Sequence, residues 1–145
     1  MQSFSYLFPY EKIRQGSKVL IYGAGNVGIE YYSQLQMNGY CEVVGFIDRN
    51  YEEKKLGIGV YPPDEINNLE FDFIVIAMKT DRNIREIFQI LSEQNIPQEK
   101  IVKTELYEVF IEGASLPDET FAFEITEQSM MIEYHGGIGD LISHK

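Results

Sequence analysis

Gly23-Ala24-Gly25-Asn26-Val27-Gly28 sets three glycines at G-x-G-x-x-G spacing, and Asp48 follows twenty residues after the last of them. In such a loop the first glycine permits a tight turn. The second lets a pyrophosphate approach the backbone, and the third brings a helix close to a sheet. The unpaired N–H groups opening that helix face phosphate oxygens. A carboxylate at Asp48 is then placed to accept both hydroxyls of a ribose. The chemistry this spacing predicts is the binding of a diphosphate-bridged nucleotide, NAD or a nucleotide-sugar. Arg49 could take a 2′-phosphate, yet an ionised Asp48 beside it would repel that group, so NADP ranks lower. Two plainer readings stay open: the glycines serve packing alone, or Asp48 is simply solvated.

Ala77-Met78-Lys79 closes a third apolar run and is expected to line the same crevice, with Lys79 or Arg82 in reach of a phosphate or merely part of a solvated basic loop. No catalytic residue can be assigned. Tyr51-Glu-Glu-Lys-Lys55 fits Tyr-x-x-x-Lys, but it follows the second strand in a charged loop rather than lying on a helix well beyond the glycines. Cys41 has no histidine near it and reads as a quiet thiol. His135 borders a second glycine loop without an evident partner. With one Cys and two His, neither a disulfide nor a structural metal site is expected.

The elements that must position these residues follow from periodicity. Lys18–Tyr22 is a short continuous apolar run ending in glycines, as in a strand buried on both faces. Residues 26–38 carry helical spacing, with Gly39 where a left-handed cap is wanted. Residues 42–48 and 71–77 read as further central strands, 58–61 as a short strand and 64–67 as one helical turn. Ile84, Ile87, Phe88 and Leu91 fall at i, i+3, i+4 and i+7, with Thr80 or Asp81 as N-cap and Asn95 and Pro97 as stop. Residues 100–103 supply a last strand. The expectation is a doubly wound, mostly parallel five-stranded α/β sheet over residues 1–105. Residues 106–145 are expected to be a linker and the start of a second unit. In it Leu106–Ile111 reads as a helix turn, 113–118 as linker and Met130–Tyr134 as a strand, followed by His135–Asp140 as a glycine loop and a helix start at Leu141.

Composition narrows the partners. The chain has 145 residues, 12 Lys+Arg against 23 Asp+Glu, and a net charge of −11. That balance disfavours nucleic acid and anionic lipid. No apolar run approaches the roughly 20 residues of a membrane span, and the N-terminus has no basic residue before an apolar stretch. A cytoplasmic location is expected, with a homo-oligomer left open. The length excludes a two-domain dehydrogenase.

Phe8–Lys12, Tyr22–Gly28, Val44–Asp48, Tyr61–Ile66 and Asp72–Ala77 together resemble a Rossmann module of bacterial surface-polysaccharide biosynthesis. They are similar to the N-terminal cofactor-binding part of nucleotide-sugar epimerases and dehydratases, and to modules accompanying capsule and teichoic-acid glycosyltransferases. The resemblance spans residues 8–104. It implies that Gly23, Gly25, Asn26, Val27 and Gly28 hold a pyrophosphate and Asp48 a ribose. The catalytic Tyr-x-x-x-Lys helix of a full epimerase has no counterpart. Tyr134–Asp140 resembles a glycine-rich loop of GT-B glycosyltransferases, which implies an accessory role beside a transferase domain. The rival expectations are an NAD-dependent nucleotide-sugar oxidoreductase and a ligand-free docking or dimerisation domain.

Overall fold

The computed structural model describes residues 3–103 and 108–112. In chain order the elements are β1 (Ser3–Tyr6), β2 (Lys18–Tyr22), α1 (Asn26–Asn38), β3 (Glu42–Ile47), β4 (Val60–Tyr61), β5 (Phe73–Ile76), α2 (Asp81–Glu93), β6 (Ile101–Lys103) and β7 (Glu108–Glu112). They divide between two compact units. One comprises Ser17–Ile29 and Glu42–Thr104; the other includes residues 3–16, 30–41 and 108–112.

The first unit is built on a five-stranded sheet in the order β4-β3-β2-β5-β6, every pair parallel. This is the Rossmann-like α/β fold expected. Val19, Leu20, Ile21, Ile74, Val75 and Ile76 are buried because each central strand is covered on both faces. Leu20 and Tyr22 share a face with Ile47, Ile74 and Ile76, and that face receives Ile84, Ile87 and Leu91 of α2. Each such aliphatic side chain contributes about 1.5–3 kcal/mol on leaving water. Leu91→Ala would cost about 2–5 kcal/mol.

Local signals set the limits of α2. Thr80 Oγ1 accepts from the Asn83 N–H at 3.2 Å, satisfying one of the orphan donors of the first turn. At the other end Asn95 adopts φ 65°, the left-handed conformation that asparagine tolerates, and the Ile96 N–H returns to the Leu91 carbonyl at 3.1 Å. The segment expected as one helical turn is a 3-10 helix over Pro63–Asn68 with Ile66 buried.

In the second unit, the aromatic leader is tied down by polar side chains of α1. Glu30 accepts the Ser5 and Tyr6 N–H groups at 2.6 and 2.8 Å. Gln34, fully buried, accepts the Phe8 N–H at 3.1 Å and donates to the Tyr6 carbonyl at 2.5 Å. Its carbonyl also accepts the Tyr10 hydroxyl at 3.2 Å. Phe8 meets the Tyr10 and Tyr31 rings edge-on, and Tyr10 meets Tyr40 in the same way. β1 and β7 pair antiparallel as a two-stranded ribbon, Ser3 opposite Glu112. The helix turn expected over Leu106–Ile111 is therefore corrected, since Glu108–Glu112 is strand. Val109, Phe110 and Ile111 favour extended backbone, and a partner from the opposite end of the chain supplies their ladder. The linker, strand and glycine loop expected over residues 113–145 lie outside the described residues.

Candidate functional site

Four strand ends are locked together where the glycine loop begins. The Gly23 N–H donates to the Ile47 carbonyl at 2.7 Å, the Ala77 N–H to the Tyr22 carbonyl at 2.9 Å, and the Asp48 N–H to the Tyr61 carbonyl at 3.0 Å. The ladders of β2, β3, β4 and β5 thus extend to the residues that leave the sheet. A crevice of about 410 Å³ opens just beyond, outside the carboxyl ends and at the point where strand order reverses.

Nine of the eleven residues expected at a site line this crevice. They are Gly23, Gly25, Asn26 and Val27 from the glycine loop, Asp48 and Arg49 after β3, and Ala77, Met78 and Lys79 after β5. Ala24 and Gly28 stand behind it. The Ala24 N–H donates to Asp48 Oδ2 at 2.8 Å, and a side chain on Gly28 would collide with the Gly23 carbonyl and press on Ile21. Arg82 is exposed and pairs with Glu86 at 3.3 Å. Tyr22, Asn50, Lys54, Asn83, Glu86, Ile87 and Ile90 complete the wall. Periodicity marks Ile87 as core, but nothing local distinguishes Asn50 or Lys54 from solvated loop residues.

The three glycines separate by environment. Gly23 has φ +117°, and a Cβ there would lie 2.8 Å from the Ala77 carbonyl oxygen. Turn and close approach both require glycine. Gly28 is required by helix-to-sheet contact. Gly25 is different: its φ is ordinary, and a Cβ would meet nothing within 4 Å. Nothing in the described residues needs that position bare, except the open space itself.

The start of α1 is also unlike that of α2. Gly25 has no side chain with which to cap α1, and the first turn carries no acid. Its N–H groups and the positive end of its dipole are left for an incoming group. By contrast, α2 is capped by Thr80 and carries Asp81 in its first turn. Arg49, Lys54 and Lys79 face the crevice against Asp48 and Glu86, so its lining is net cationic in a chain of net charge −11. That local sign favours an anionic guest.

Asp48 is held from two sides. Oδ2 takes the Ala24 N–H, and Oδ1 takes the Asn50 N–H at 2.8 Å. Each oxygen keeps acceptor capacity for a further donor. Burial pushes the Tyr22 phenol above its ordinary range; Arg49 opposes the shift and Asp48 adds to it. Among the described residues no group of three His, Cys, Asp or Glu could hold a metal ion. Cys41 is buried, with its thiol 3.6 Å from the Arg14 carbonyl. Tyr51 lies outside the lining, its hydroxyl 3.5 Å from Glu52, so Tyr51 and Lys55 form no dyad at the crevice.

The family model described as C2185-like, N-terminal, matches residues 15–102, more than half of the chain. The chain belongs to the C2185-like N-terminal family. The C2185-like match encloses the whole lining of the crevice and begins after the aromatic leader. No curated protein matches the sequence. Among solved structures, UDP-D-quinovosamine 4-dehydrogenase from Vibrio fischeri is similar at a TM-score of 0.51 and 20% identity, over 62% of this chain and 79% of that one. RSP, a Rex-family repressor, aligns at a TM-score of 0.46 and 16% identity, over 63% of this chain and 54% of that one. The similarity to the dehydrogenase is one of fold.

Proposed function

We propose that this C2185-like domain binds a nucleoside diphosphate group, carried by NAD or by a nucleotide-sugar. The observation that carries the reading is Gly25, a bare position facing open space at the uncapped start of α1. The cradle fits the group: the N–H groups of Asn26, Val27 and Gly28 would hold the diphosphate, the helix dipole favouring its charge. Asp48, oriented by Ala24 and Asn50, would accept the ribose hydroxyls. Its carboxylate disfavours a 2′-phosphate, hence NAD before NADP. Met78, Ile87 and Ile90 supply an apolar wall for a base.

The wider role in this proposal is an accessory nucleotide-binding part of a bacterial cell-surface polysaccharide biosynthesis protein, working in the cytoplasm beside a glycosyltransferase domain. The sequence resemblance supports it, and so does the fold shared with an enzyme named for a UDP-sugar. No helix among the described residues is long and apolar enough to cross a membrane. Calorimetric titration of the full chain with ADP, NAD, NADP and UDP-N-acetylglucosamine tests the reading. Binding of ADP, with NAD at least about tenfold tighter than NADP, supports it. Absence of heat with every nucleotide, together with no thermal shift, refutes it.

A further inference from the structure

Tyr22 is the last residue of β2, and strand alternation turns it to the α2 side with Leu20. It is 3% exposed and yet lines the crevice. No hydrogen bond to its hydroxyl is seen among the described residues, and that oxygen is not one of the fully buried unpartnered atoms, so it stays accessible where the residue lines the crevice. Other buried phenols of the chain are satisfied: Tyr10 donates to Gln34 and accepts from Asn38 at 2.9 Å, and Tyr40 donates to the Ile13 carbonyl at 2.8 Å. Packing alone would be served as well by phenylalanine. A donor that opens onto the wall of a cavity is available to an acceptor on whatever enters.

Position indicates which part of the guest supplies it. The diphosphate belongs at the start of α1. Tyr22 instead pairs with Ile47 in the sheet, next to Asp48, to which the reading above assigns the ribose. We infer that the Tyr22 hydroxyl donates a hydrogen bond to the nucleoside half of the ligand, which makes it a specificity-determining residue of the crevice. The inference rests on the nucleotide-binding reading above and adds a contact that the glycine loop does not supply. A phenol is protonated at neutral pH, and burial pushes it further that way, so it acts there as a donor.

Tyr22→Phe removes the hydroxyl and keeps the ring. Calorimetry on the full chain should show ADP affinity falling about 3- to 10-fold, with inorganic pyrophosphate affinity and melting temperature unchanged. The chain lacks tryptophan, so tyrosine dominates its near-ultraviolet absorbance. An ADP-induced difference spectrum present in the parent and diminished in Tyr22→Phe provides a second readout. Equal ADP affinity in both proteins overturns the inference while leaving the binding reading intact. An equal loss toward pyrophosphate overturns the assignment to the nucleoside. Failure of the parent chain to bind ADP at all overturns both.

Discussion

Substituting the second and third glycines of the loop should separate ligand binding from folding. Gly25→Ser places a hydroxyl in open space at the N-cap of α1. Serine caps helices at least as well as glycine, so unfolding free energy should change by no more than a few tenths of a kcal/mol, upward if at all. The same Oγ accepts an N–H of the first turn and occupies the volume assigned to a phosphate. Losing one hydrogen bond to a charged group costs about 1.5–3 kcal/mol, which is roughly 10- to 150-fold in affinity for ADP. Gly28→Ala is the converse. Its methyl would be driven into the Gly23 carbonyl and against Ile21, and overpacking of this kind costs about 1–3 kcal/mol. In a domain of this size that lowers the melting temperature by roughly 4–8 °C per kcal/mol. Urea unfolding and ADP calorimetry on both variants form the assay. A Gly25→Ser protein that binds ADP like the parent would refute the idea that position 25 is bare for a ligand. A Gly28→Ala protein of parental stability would refute the packing role.

Three further outcomes are expected. Asp48→Ala should lower stability by about 1–3 kcal/mol as well as weaken NAD, because the Ala24 and Asn50 N–H groups lose their acceptor; urea unfolding alongside NAD titration shows whether both move. Gln34→Leu should destabilise by about 1–3 kcal/mol, because the buried Phe8 N–H loses its acceptor, with a lower denaturation midpoint as the measure. Burial raises the Tyr10 phenol well above its ordinary value of 10.0. The stability linked to this raised value is therefore fully present below pH 10 and falls above it, by about 1.4 kcal/mol per pH unit. Melting temperatures between pH 8 and 11 should show the decline, reduced in Tyr10→Phe relative to its own value at pH 8.

The sheet was legible from local pattern because its strands are continuous apolar runs and α2 carries a regular stripe with Thr80 and Asn95 at its ends. The glycine loop and Asp48 were legible because spacing alone ties them to a strand end and a helix start. What escaped depends on contacts remote in sequence. Glu30 and Gln34 look like the solvent side of an amphipathic helix until the leader's N–H groups are seen to fall on them. Glu108–Glu112 takes its conformation from β1, which no local window contains. Asn50 and Lys54 reach the crevice through the path of the loop after β3, and polar composition does not encode that path.

The outermost strands of the parallel sheet, β4 and β6, are two and three residues long. Strands this short present too few outward backbone donors and acceptors to template an added strand. Self-association by continuing this sheet from one molecule into the next is thereby discouraged at both borders.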